Sequence, residues 1–151
     1  MTINTRPIVK IKRLTEKAKI PQYATPGSAG MDLHANLYEE VKIRAFNRAL
    51  IPTGIAIEIP PGYEAQVRSR SGLALKVGLM VLNSPGTIDS DYRGEVCVIL
   101  QNTGTEPVVI SDGDRIAQLV IAPVIQPIVE EVVELSDTQR GSGGFGSSGT
   151  K

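Results

Sequence analysis

A chain of 151 residues fits one domain with a genuine hydrophobic core. Its 16 Lys and Arg balance 16 Asp and Glu, so no overall field would draw it onto nucleic acid or an acidic membrane, and any anion site must be built from local charge. The single cysteine, Cys97, excludes internal disulfides and fits a reducing compartment.

The chain opens on "MTINTRPIVKIKRL", which lacks the apolar run of a signal peptide, and no stretch reaches the roughly 20 apolar residues of a membrane span. A cytoplasmic protein without a membrane partner is expected, with nuclear or organellar placement left open. Val and Ile outnumber Leu almost three to one, and β-branched residues favour pleated surfaces over helices. Short apolar runs recur between turn signals: "IVKIKRL", "AGMDLHA", "RALIP", "GIAIEIP", "YEAQVRS", "VGLMVLN", "GEVCVILQN", "EPVVIS", "RIAQLVIAP" and "PIVEEVVEL". Ile55, Ile57 and Ile59 alternate with Ala56 and Glu58, as a half-buried strand requires. Ten or so such strands predict an all-β barrel or jelly roll over residues 1–135. Only "SGLALK" reads as a helical turn, and from Ser136 the polar "SDTQRGSGGFGSSGTK" reads as a flexible arm, 136–151.

Three polar clusters interrupt the strands. In "RSRSGLALK", Arg70 and Ser71 stand where a strand gives way to a helix start, which offers unpaired N–H groups to an anion. Ser71 as a plain N-cap beside solvated arginines explains the same letters. In "LNSPGTIDSDYRGE", Asp89 and Asp91 point the same way if the segment is extended and opposite ways if it turns, and paired carboxylates bind cations or activate water. A solvated loop anchored by Tyr92 is the alternative. In "SDGDRIAQLV", Arg115 and Gln118 follow a turn on an otherwise apolar strand, where they need partners if buried, or belong to a surface hairpin. His34, the sole histidine, has no companion at metal-ligand spacing and receives no role.

Taken in order, "AGMDLHA", "RSGLALK", "GTIDSDYRGEV", "GDRIAQL" and "RGSGGFGSSG" resemble the five motifs of the trimeric deoxyuridine triphosphate nucleotidohydrolases, the dUTPases, from about Ile8 to Gly149. That resemblance implies a distorted jelly-roll β-barrel, a homotrimer with sites at subunit interfaces, and magnesium-dependent hydrolysis of dUTP to dUMP and pyrophosphate. Such a reaction limits uracil incorporation into DNA and supplies dUMP for thymidylate synthesis. It further implies that Asp89 orients and deprotonates the attacking water, that Asp32 holds Mg2+ through its water shell, and that Arg70, Ser71, Gly72 and Gln118 contact phosphates, Gln118 from a neighbouring subunit. Asn83 and the backbone after it match the groups that bond the uracil edge. Tyr92 matches the aromatic beneath deoxyribose that excludes a 2′-hydroxyl.

The arm acquires a role from the same resemblance. Arg140 would grip the phosphates, Gly146 and Ser147 would wrap them, and Phe145 would stack on uracil, closing a neighbouring subunit's site as a lid. Met31 and Ser148 stand where leucine and threonine are common in the family, both mild changes. Two alternatives share the fold: a dCTP deaminase-like enzyme, which needs a glutamate where Ile99 stands, and a non-catalytic nucleotide-binding trimer, which would have lost at least one motif.

Overall fold

Ile55, Ile57 and Ile59 are all buried, while Glu58 between them ion-pairs with Lys10 at 2.6 Å on the outer surface. The computed structural model that shows this describes residues 6–144. Strand β1 (Lys10–Arg13) pairs antiparallel with β4 (Arg48–Glu58), which pairs with β8 (Glu95–Asn102), which in turn pairs with β6 (Leu79–Val81). A second four-stranded sheet runs β2 (Met31–His34), β10 (Arg115–Pro123), β5 (Tyr63–Arg68), β7 (Gly86–Ile88). The ribbon β3 (Val41–Ile43) with β9 (Val108–Ile110) completes the strands, and α1 (Ser71–Val77) is the one helix among the described residues.

Alternation explains how the two sheets close on each other. In β8 every second residue, Val96, Val98, Leu100 and Asn102, points inward and is buried, leaving Glu95, Cys97, Ile99 and Gln101 on the other face. Leu33 of β2, Ile51 and Ile55 of β4, and Leu119 of β10 meet these side chains in one core. Burying each such aliphatic side chain contributes about 1.5–3 kcal/mol, so the core carries the fold. This double-sheet arrangement is the jelly roll expected from the sequence.

Four details differ from the sequence expectation. "RALIP" and "GIAIEIP" form one strand, β4, because its ladder to β8 shifts register between Pro52 and Ala56 and the chain bends there without breaking. Gly54 sits in that bend at φ 69°, where a Cβ would approach Asn36 Oδ1 to 2.7 Å, so only glycine fits. Strands β3 and β7 are three residues each, too short to show alternation. Finally, "PIVEEVVEL" forms no strand: after Val124 donates its N–H to Gly62 O, the described chain to Gly144 contains no regular element. Its apolar residues lie bare, with Ile128 97% and Val133 101% exposed.

Candidate active site

Two groups of polar side chains emerge from this frame. The first is built across β2, β10 and β5. Antiparallel pairing sets Asp32 opposite Gln118 and Gln118 opposite Arg68, and β5 then runs through Ser69 and Arg70 into α1. Arg70 Nε lies 3.2 Å from Asp32 Oδ1, and Arg115 Nη1 lies 3.3 Å from Asp32 Oδ2, so each carboxylate oxygen faces its own guanidinium. Arg70 Nη1 also donates to the Arg115 carbonyl at 2.9 Å, and Gln118 Nε2 donates to Ser69 O at 2.9 Å. Gly30 makes room for that glutamine, since a Cβ there would stand 2.6 Å from Gln118 Oε1.

The N-cap of α1 is Arg70, with extended backbone and no side-chain cap. Ser71 is therefore the first helical residue, and the plain N-cap reading of its hydroxyl fails. Ser71 and Gly72 are exposed at this start, next to the two arginines. His34 shares the face of Asp32, and burial, with Lys19 nearby, lowers its pKa and favours the neutral ring. Its Nδ1 is buried without a hydrogen-bond partner.

A cavity of about 350 Å³ holds the second group. Asn83, Thr87, Ile88, Asp89 and Tyr92 line it from the β6–β8 connection, with Glu95, Cys97 and Ile99 from the outward face of β8. Its volume lies within the roughly 300–1,000 Å³ common for small-ligand sites. The Tyr92 N–H donates to Asp89 O at 3.1 Å, and this turn separates the two acids: Asp89 lines the cavity and Asp91 does not. Tyr92 Oη donates to Glu95 O at 3.0 Å, while the Glu95 carboxylate accepts from Gly54 N–H at 2.8 Å. Thus the bend in β4 anchors the base of the tyrosine. Burial and the Glu95 charge raise the pKa of Cys97, which keeps it a thiol at neutral pH.

One residue ties the groups together. Ser69 Oγ accepts the Val81 N–H at 2.9 Å and lies 3.4 Å from Ser84 Oγ, so the approach to α1 is fastened to the base of the Asn83 turn. The cavity nevertheless contains none of Asp32, Arg70 or Gln118. Arg140 belongs to neither group; its Nε donates to Gly143 O at 2.9 Å in a local turn. Phe145, Gly146 and Ser147 lie outside the described residues.

Sequence reasoning missed Arg115 as a partner of Asp32, and Glu95 and Cys97 as cavity walls. The alternation of β8 carried the signal for the latter pair, because Glu95, Cys97 and Ile99 share one face.

A family model described as dUTPase matches residues 16–149. The chain belongs to the dUTPase family. It is 59% identical over 141 residues to a deoxyuridine 5'-triphosphate nucleotidohydrolase of Hydrogenobaculum sp., covering 93% of this chain and 97% of the relative. An Anaplasma marginale relative of the same name is 56% identical over 144 residues, 94% and 98% of the two chains. Among solved structures, the Staphylococcus bacteriophage 80alpha dUTPase with dUPNHPP matches at a TM-score of 0.85 and 30% identity, over 95% of this chain and 99% of that one. A dUTPase from phage phi11 of S. aureus, solved to reveal the coordination of a structural Mg(II) ion, matches at 0.77 and 26% identity over 86% and 99%. This dUTPase accordingly hydrolyses dUTP, as the five motifs implied. Ile99 on the cavity wall leaves no proton carrier where a deaminase needs one.

Proposed function

We propose that dUTP is cleaved to dUMP and pyrophosphate by in-line attack of a water on the α-phosphorus, with Asp89 as the base. The observation that carries this reading is the cavity in which Asp89, Asn83 and Tyr92 converge. An aspartate with an ordinary pKa near 3.9 is ionised at neutral pH and ready to orient and deprotonate water. Uracil lies against Asn83 and the strand edge at Thr87 and Ile88, whose fixed backbone acts as a wall against a 5-methyl group. A hydrophobic pocket alone discriminates one methyl by only about 1–3 kcal/mol, so a rigid backbone is needed to reject dTTP. Tyr92 lies beneath the deoxyribose.

The phosphates run to the other group, to Arg70, Ser71, Gly72 and Gln118. Asp32 offers one carboxylate there, and no cluster of three or more metal-ligating side chains exists among the described residues. This donor set fits Mg2+, which keeps several waters and takes further oxygens from phosphates, and does not fit an all-protein cage. When bound, the ion neutralises charge developing on the phosphates. Asp32 would hold its water shell while Arg70 and Gln118 turn to the phosphate oxygens.

Because the cavity and the Asp32 group occupy separate parts of one chain, a substrate that needs both is best served between copies. The bare apolar stretch from Ile125 to Leu135 supports a homotrimer, since an isolated chain leaves it in water. Residues 136–151 then serve as the lid, with Arg140 on the phosphates, Phe145 on uracil, and Gly146 and Ser147 around the phosphate chain. Release of pyrophosphate from dUTP and Mg2+, together with the native mass by light scattering, tests the reading. No release, or a monomeric mass with full activity, would defeat it.

A further inference from the structure

We infer that Arg115 is a positioning residue that keeps Asp32 aimed at the metal side of the site once substrate draws Arg70 away. The inference rests on the proposed roles of Asp32 and Arg70 and adds a residue to which no role has been given. Its origin is a local irregularity in the sheet. The β2–β10 ladder pairs Gln118 with Asp32 and Ala117 with Leu33, then skips Ile116 and pairs Arg115 with His34. In a regular strand Ile116 would share the face of Gln118, and Arg115 would point into the core. The extra residue buries both Ile116 and Ala117 and turns Arg115 out, more than half exposed, onto the face that carries Asp32 and Gln118.

Arg115 then acts twice. Its guanidinium meets Asp32 Oδ2 at 3.3 Å, and its carbonyl accepts from Arg70 Nη1 at 2.9 Å. Arg70 spends its own Nε on Asp32 Oδ1 at 3.2 Å. A triphosphate competes for the Arg70 guanidinium, because phosphate oxygens accept its paired donors in the same planar geometry. Arg115 is the remaining cation on the carboxylate, and it holds Oδ2 while Oδ1 is freed towards the hydrated ion. Residues that orient a metal-holding group through hydrogen bonds typically change metal affinity 10–100-fold when removed.

The test uses the full chain, a non-hydrolysable dUTP analogue and Mg2+, followed by calorimetry, with dUMP affinity as a control that needs neither the ion nor the outer phosphates. R115A should raise the Mg2+ concentration for half-saturation about 10-fold and leave dUMP affinity within about twofold, and R115K should recover part of the loss. If R115A melts early, R115Q takes its place in the same titration. An unchanged Mg2+ midpoint, or dUMP affinity falling in step with it, would overturn the assignment to Arg115. Failure of the unaltered protein to bind the analogue would instead count against the dUTP site itself.

Discussion

Tyr92 lies across Gly94: a Cβ on that glycine would stand 2.6 Å from Tyr92 Cζ, and the tyrosine hydroxyl reaches past it to Glu95 O at 3.0 Å. The ring therefore occupies the cavity wall only because residue 94 lacks a side chain. Gly94→Ala should displace the ring, raise KM for dUTP about 10-fold and narrow the preference for dUTP over UTP, since the sugar floor is what excludes a 2′-hydroxyl. Steady-state kinetics with both nucleotides check this. Unchanged discrimination would remove Tyr92 from sugar selection.

Asp89→Asn keeps the size of the side chain and removes its basicity. Hydrolysis should fall by about 100-fold to 10,000-fold, the usual worth of a positioned base, while the imido analogue of dUTP binds within a factor of about two. Pyrophosphate release and calorimetry on the same preparation separate the two quantities. Equal turnover by the variant would assign the base elsewhere.

Where the sequence was legible, side-chain period was the reason. Ile55, Ile57 and Ile59 could be assigned to the core because alternation of two is visible over five residues, whereas Val41–Ile43 and Gly86–Ile88 are too short to display any period. The sequence divided β4 because Pro52 and Gly54 read as a turn, and the structure uses them for a register shift inside one strand. Apolar β-branched residues made "PIVEEVVEL" look like a strand, but a strand needs a neighbour, and within one chain this segment finds none among the described residues. In the site, motif resemblance located Asp32, Arg70 and Gln118, which the sheet does bring together. Arg115 escaped because its face depends on a bulge that local sequence does not announce.

Asn102 supplies a stability prediction of the same kind. It is fully buried at the end of β8, donating Nδ2 to Ile43 O at 3.0 Å and to Glu106 O at 2.7 Å, while Oδ1 accepts from Gly104 N–H at 2.9 Å. Those three bonds fasten β3 to β8 and close the turn that follows. Asn102→Ala would strand buried backbone groups that each cost about 1–3 kcal/mol when unpaired, so a loss of about 3 kcal/mol is expected in urea unfolding. A loss below about 1 kcal/mol would show that water or a shifted loop replaces the bonds.

Asp112 links stability to pH. The Leu37 N–H donates to its Oδ1 at 2.7 Å, and Lys17 Nζ lies 3.6 Å from the same oxygen; the backbone bond, then the Lys17 charge, hold its carboxyl below the ordinary 3.8. A carboxyl whose pKa is lower in the folded than in the unfolded chain stabilises the fold above the unfolded value, and that contribution disappears as pH falls through the folded one. Asp112→Asn should therefore lower Tm near neutral pH, and the gap to the unaltered protein should shrink as pH is lowered from about 6 to about 3. A gap that stays constant over that range would trace the effect to packing, with no contribution from charge.

Deleting residues 140–151 separates barrel from lid. The last sheet residue is Pro123, and the described bonds around Arg140 join only Thr138 to Gly143, so nothing in the barrel is held by this segment within one chain. Tm of the truncated protein should stay within about 2 °C of the full chain, because its core is untouched. Hydrolysis should fall about 100-fold or more, as expected when a closing element that fixes the phosphates is lost. Phe145→Ala in the full chain narrows the cause: base stacking is worth about 1–3 kcal/mol, so this variant should lose part of the affinity for dUMP, whereas Arg140→Ala should act on the triphosphate and spare dUMP. A truncated protein with full turnover would return the segment to a plain tail.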